Sequence, residues 1–158
     1  MFLRATCTAI VLIMALPAGA ADEPGSGEPA QMRECHTNFE VEGSFFRGKT
    51  FRTKETLGEV VVEDAVKRMG REIVKRGYEG VDVNTELGTI SAHQGVSFGK
   101  GKTVPLNVVL ESSDGEGVVA EIVVQLSGGL GTDKDEVRTE FCEILAEGKE
   151  SRTSSSEG

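Results

Sequence analysis

VEDAVKRMGREIVKRG, Val62 to Gly77, is the stretch on which the fold turns. Val62, Ala65, Val66, Met69, Ile73 and Val74 recur at spacings of three and four, the period of a helix with one apolar face. Lys67, Arg68, Arg71, Lys75 and Arg76 lie away from that stripe. Glu63 and Asp64 sit where the helix dipole favours negative charge, and Gly77 is placed to end the helix. One apolar stripe cannot cover itself, so the neighbouring segments must supply a sheet or a second helix to bury it.

They supply both. Upstream, GSFFRGKTFRTKETL, Gly43 to Leu57, sets aromatics and threonines among charges and predicts one half-exposed strand. Downstream, Val81, Val83 and Leu87 alternate with polar residues until Gly88 breaks the run. Ile90 and Ala92 then share one face while Thr89, Ser91 and His93 share the other, so VNTELGTISAHQ (Val83–Gln94) is a turn between two strands. Pro105–Glu111 and Val118–Ser127 predict two more strands, joined around Asp114-Gly115, a hairpin signal. Leu106, Val108 and Leu110 line up in the first, and Ala120, Ile122, Val124 and Leu126 in the second. SGGLG leads into TDKDEVRTEFCEILAEG, where Thr132 and Asp135 have capping-box spacing. Val137, Phe141, Ile144 and Leu145 make that helix's stripe, and Gly148 is expected to end it. The fold class is α+β: a mainly antiparallel sheet with two helices on one face, in the order β-α-β-β-β-β-α.

The first twenty residues read as a secretory signal. Arg4 gives the positive start, the apolar run covers Ala5–Leu16, and Ala18 and Ala20 suit signal peptidase. That run is shorter than the ~20 residues of a membrane-spanning helix, and no later stretch is apolar enough to span. The expected organisation is a signal at 1–20, a flexible linker at 21–34 rich in Pro, Gly and Glu, one domain at 35–148 and a disordered tail at 149–158. Losing Arg4 takes the formal net charge from −9 to −10. So acidic a domain is repelled by phosphate backbones and anionic lipid, which argues against nucleic acid or bare membrane as partner. Oligomeric state is not encoded legibly.

Cys7 leaves with the signal, and Cys35 and Cys142 remain. In an oxidising compartment this even pair reads as a disulfide; the alternative is two separately buried thiols, since Cys packs as a small apolar residue. Glu34, Cys35 and His36 make a weak metal set, without a Cys-x-x-Cys or a spaced His companion, and no metal ligand is assigned.

Other motifs fail on spacing. GVSFGKGKT, Gly95–Thr103, looks like a phosphate-binding loop, but counting back from Gly101-Lys102-Thr103 lands on Val96 instead of glycine. The segment also feeds Pro105 and a strand, where a phosphate loop must feed a helix. Lys100 and Lys102 read as a solvated loop tip, and SGGLGTD (Ser127–Asp133) as a helix entry at which Thr132, as the cap, already satisfies some of the free amides. The two histidines, His36 and His93, lie in separate segments, and His93 falls on a polar sheet face. No catalytic or cofactor-binding residue is assigned. Phe45, Phe46, Phe51 and Phe98 read as core and sheet packing, and Tyr78 is the single tyrosine.

The strand, then EDAVKRMGREIVKRGY, then VDVNTELGTISA, two further strands and a closing helix together resemble small bacterial envelope domains of the helix-grip kind, BamC-like domains included. That resemblance implies a protein-binding or scaffolding role in the envelope with no chemistry attached. The chain differs in having the Cys35/Cys142 pair and no lipidation cysteine after its signal. The expected function is an exported, soluble, non-catalytic binding or interaction domain of the bacterial cell envelope. It would take an envelope protein partner, with the Gly43–Leu57 strand as an edge for β-augmentation. The alternative is a small-ligand or metal carrier using the open side of the sheet or the glycine loops.

Overall fold

The computed structural model describes residues 33–96, 101–113, 115 and 117–149. The signal, most of the linker, the tail beyond Lys149, Phe98 and Lys100 lie outside the described residues. The elements run α1 (Glu34–Thr37), β1 (Glu40–Ser44), β2 (Gly48–Gly58), α2 (Val62–Lys75), β3 (Glu79–Asn84), β4 (Thr89–Gly95), β5 (Thr103–Ser113), β6 (Gly117–Leu126) and α3 (Lys134–Lys149). All strand pairs are antiparallel, in the order β1-β2-β6-β5-β4-β3. The α+β class and the single antiparallel sheet are those the sequence predicts; α1 and one strand were not foreseen.

Strand parity decides which face is covered. Phe51, Thr53, Glu55 and Leu57 of β2, Ile90 and Ala92 of β4, Leu106, Val108 and Leu110 of β5, and Val118, Ala120, Ile122, Val124 and Leu126 of β6 are all buried. They meet Ala65, Val66, Met69 and Ile73 of α2 and Val137, Phe141, Ile144 and Leu145 of α3 in one core. Each large apolar side chain so buried contributes roughly 1.5–3 kcal/mol. The opposite parity, including Lys54, Ser91, Asn107, Glu111 and Glu121, faces solvent.

Several expectations need correction. Gly43–Leu57 is a hairpin rather than one strand. Gly43 (φ +94) and Gly48 (φ +102) adopt left-handed conformations open to glycine and turn the chain at Ser44–Gly48. The long strand β2 therefore lies inside the sheet between β1 and β6, and the edges are β1 and β3. Phe51 is core, but Phe45 is half exposed and Phe46 is 88% exposed at the hairpin tip. Val74 is exposed too, because it lies ~100° round the helix from Ile73, past the covered arc. Leu87 is exposed in the β3–β4 turn, where Asn84 Oδ1 accepts the Leu87 amide at 2.9 Å.

Helix α3 starts one residue later than the capping box implied. Asp133 Oδ1 accepts the amides of Asp135 (2.7 Å) and Glu136 (3.2 Å), so Asp133 does the capping instead of Thr132. Gly148 does not end α3 but lies within it, packed so closely that a Cβ there would meet Leu57 Cδ1 and Met69 Sδ, each at 2.9 Å. Arg68 of α2 reaches across to the last carbonyls of α3, with Nε 2.9 Å from Glu147 O and Nη2 2.7 Å from Gly148 O. It thereby satisfies acceptors that a helix C-terminus leaves open.

Cys35 and Cys142 are joined by a disulfide, with Cα atoms 5.5 Å apart and a sequence separation of 107. The bond fastens α1 beside α3, and the backbone around it is held as well. Thr53 Oγ1 donates to the Cys35 carbonyl at 2.6 Å, the Thr56 amide donates to Glu34 Oε2 at 2.8 Å, and Asn38 Nδ2 donates to the Lys54 carbonyl at 3.1 Å. Glu55, on the covered face, has no exposed side-chain surface. It takes Arg33 through Nη2 at 2.7 Å and Nε at 3.2 Å, and Lys149 Nζ at 2.7 Å. The packed unit therefore takes in Arg33, Glu34 and Lys149, beyond the expected bounds of 35 and 148. Among the described residues no helix is long and apolar enough to cross a membrane.

Candidate functional site

A recess lies beside the end of the second helix and the first turns of the third. Helix α2 ends in a Schellman turn: the Gly77 amide donates to the Val74 carbonyl at 3.0 Å and the Tyr78 amide to the Ile73 carbonyl at 3.3 Å, with Gly77 at φ +84. That turn delivers Tyr78, only 7% exposed, to the side of α3. Val137, Glu140 and Phe141 fall three and four apart on α3 and so share one flank. Val124 and Leu126 at the end of β6, Val104 at the start of β5 and Gln94 near the end of β4 make the sheet wall. Leu130, Gly131 and Thr132 close the remaining side, and the space enclosed is about 290 Å³. This is close to the lower limit of small-molecule sites, roughly 300–1,000 Å³.

Two ionisable groups stand in this space, whose lining mixes apolar side chains with Gln94, Thr132 and glycine backbone. Burial, and then the negative charge of Glu140, push the Tyr78 phenol well above its ordinary range, so it stays protonated as a hydrogen-bond donor. Burial also raises the Glu140 carboxyl; the charge of Arg76 and the Tyr78 hydroxyl work against this without cancelling it. Arg76 is itself committed elsewhere, with Nη2 3.0 Å from Glu72 Oε1 and 2.8 Å from Glu143 Oε2. A second depression shares Glu140 and runs outward past Asp133, Asp135, Glu136 and Glu143, with Arg76 as the cation among its lining residues. The recess offers an apolar floor, one buried hydroxyl and one carboxyl at the edge of an acidic groove.

Of the segments singled out from sequence, Gly95 and Val96 of GVSFGKGKT and Leu130, Gly131 and Thr132 of SGGLGTD line this recess, while the two histidines lie elsewhere. His93 is on the open face, as its parity predicts, with its ring over Gly80 and Nε2 4.0 Å from Glu79 Oε2. His36 adjoins the disulfide, and although its ring and both sulfurs lie within 4.8 Å of one another, the sulfurs are bonded to each other instead of being free as thiolates. Gly95–Thr103 connects β4 to β5, as its spacing and context imply. Lys102 Nζ lies 3.5 Å from the Gly128 carbonyl. Within SGGLGTD the Gly129 amide donates to the Phe45 carbonyl at 2.8 Å and the Leu130 amide to the Ser127 carbonyl at 3.2 Å, while just beyond it the Asp133 carboxylate takes the amides of Asp135 and Glu136. Tyr78 and Glu140 were not recognised as a pair. The available signal was the glycine before Tyr78 and the position of Glu140 beside Phe141 on the α3 stripe. No protein-family model matches the chain, and no curated protein matches it.

Proposed function

We propose that this chain is an exported, non-catalytic binding domain and that it holds a small molecule in the recess between α3 and the end of the sheet. The observation that carries this reading is the recess itself: a space of about 290 Å³ with Val124, Leu126 and Phe141 on one side and Tyr78 and Glu140 converging on it. Export is supported by the leader-like first twenty residues and by the disulfide, which persists in oxidising compartments. Thermal unfolding against a panel of small apolar molecules that differ in charge tests the reading. A ligand at a hundred times its Kd adds about 2.7 kcal/mol to the stability of the folded state. Val104→Phe, which fills the recess, is expected to abolish the shift. A panel that shifts nothing, or shifts wild type and Val104→Phe equally, refutes it.

The second reading is an interaction domain with a protein partner in the envelope, the role implied by the helix-grip resemblance. It is favoured by the Phe45–Phe46 pair, whose rings stand edge to face at 5.5 Å on the hairpin tip. The tip is anchored, because the Gly129 amide donates to the Phe45 carbonyl at 2.8 Å. Capture from an envelope extract is the test, with Phe46→Ser as the control. Identical partner sets with both proteins count against the tip.

A further inference from the structure

Resting on the reading of the recess as a ligand site, we infer that its ligand is a compact amphipathic amine, with an apolar body against Val124, Leu126 and Phe141 and an ammonium group at Glu140. Three observations converge on this class. The floor is apolar and small, so the ligand's body is hydrocarbon or a single ring. The carboxyl that meets it is half-buried, and Arg76, whose charge it feels, is bonded to Glu72 and Glu143, so that among the described residues no salt bridge to Glu140 forms. The groove leading outward from Glu140 carries Asp133, Asp135, Glu136 and Glu143, a field that draws cations in and turns anions away. Tyr78 fits the same ligand. Its hydroxyl shares the lining with Glu140 and is kept protonated, so it offers a donor to the ligand's surroundings while the carboxylate's lone pairs accept from an N–H donor. The amide end of α3, which would otherwise favour an anion, is already occupied by Asp133.

Three probes with nearly the same body separate charge from shape: phenethylamine, phenethyl alcohol and hydrocinnamate. Titration calorimetry on the full exported chain is expected to show phenethylamine binding tighter than phenethyl alcohol by roughly tenfold or more, the margin of a charge-assisted hydrogen bond. Hydrocinnamate is expected to bind weakest. Glu140→Gln, which keeps size and helix preference, is expected to bring amine and alcohol within about twofold of each other. Circular dichroism confirms that the variant is folded. Equal affinities for amine and alcohol in wild type, tightest binding of hydrocinnamate, or an amine preference that survives Glu140→Gln overturns the amine assignment and leaves the recess as a ligand site. Failure of all three probes to bind wild type overturns the recess reading as well.

Discussion

Replacing Cys35 and Cys142 together by serine isolates what the disulfide contributes. The bond closes a loop of 107 positions, and loop entropy for that length is on the order of 4.7 kcal/mol at room temperature, an upper figure. The native side of the balance changes little. With the bond gone, α1 is still held by Arg33 and Thr53, by the Thr56 amide on Glu34, and by Asn38 on the Lys54 carbonyl. The cost therefore falls mainly on the unfolded chain, which gains freedom, and less on an undocked segment. Two serine hydroxyls at positions that are 0% and 2% exposed need partners, and each can find the other. The expected loss is about 3–5 kcal/mol, read from urea unfolding of the oxidised protein, the protein in reductant and the double variant. The last two should agree. Both should show a steeper denaturant dependence than the oxidised protein, since an uncrosslinked chain exposes more surface on unfolding. An unchanged midpoint in reductant, or two free thiols in material recovered after export, refutes the reasoning.

Arg33→Ala with Lys149→Ala leaves Glu55 buried without a cation, and this is expected to cost about 3–5 kcal/mol, against much less for either single change. A loss under ~1 kcal/mol by denaturant titration would show that Glu55 reaches water. Gly148→Ala gains up to about 1 kcal/mol of helix preference, but its methyl meets Leu57 and Met69 at 2.9 Å. Overpacking of that kind costs about 1–3 kcal/mol, so the melting temperature should fall; a rise shows that the two side chains yield freely. The Glu140 carboxyl is held above its ordinary 4.5 by burial, so the folded state binds this proton more tightly than the unfolded state. Stability present at low pH is then lost as pH rises from that value through the folded one. Glu140→Gln removes the slope and should gain on wild type from pH 4.5 upward; parallel stability–pH curves would contradict the assignment.

Periodicity carried much of the fold. The Val62–Ile73 stripe, the even-numbered residues of β6 and the pair Leu106–Val108 each report a local repeat that tertiary structure did not override. Misreadings cluster where the local signal is compatible with two outcomes. Phe45 and Phe46 have strand-forming character, yet the backbone at Gly43 and Gly48 turns them outward. Thr132 and Asp133 both make good caps, and the chain path chose the second. Gly148 looks like a terminator but is a contact point that only the approach of Met69 and Leu57 reveals. Glu55 is a different case. Counting by twos from Phe51 puts it on the inward face, so its burial was legible, while its partners Arg33 and Lys149 come from opposite ends of the domain and were not.

The recess was illegible for a deeper reason: it is made by the margins of elements rather than by any one of them. Tyr78 lies just past α2, Gln94 and Leu126 near the last residues of β4 and β6, Val104 at the start of β5, and Leu130 between β6 and α3. Each is a boundary in sequence, where period counting has nothing to count. What keeps the space open is the SGGLG loop. Gly128 lies so close to the Phe46 carbonyl that a side chain would not fit, and Gly129 is hydrogen-bonded to Phe45. The loop is thus drawn toward the β1–β2 hairpin. Those glycines, which invite reading as an anion cradle, act as a strap fixing one wall of the recess. The chamber's preference then rests on Glu140, a single carboxyl about two turns along α3. A strapped wall and a lone carboxyl make opposite demands on mutation: Gly128→Ala should disturb binding of charged and neutral probes alike, whereas Glu140→Gln should separate them.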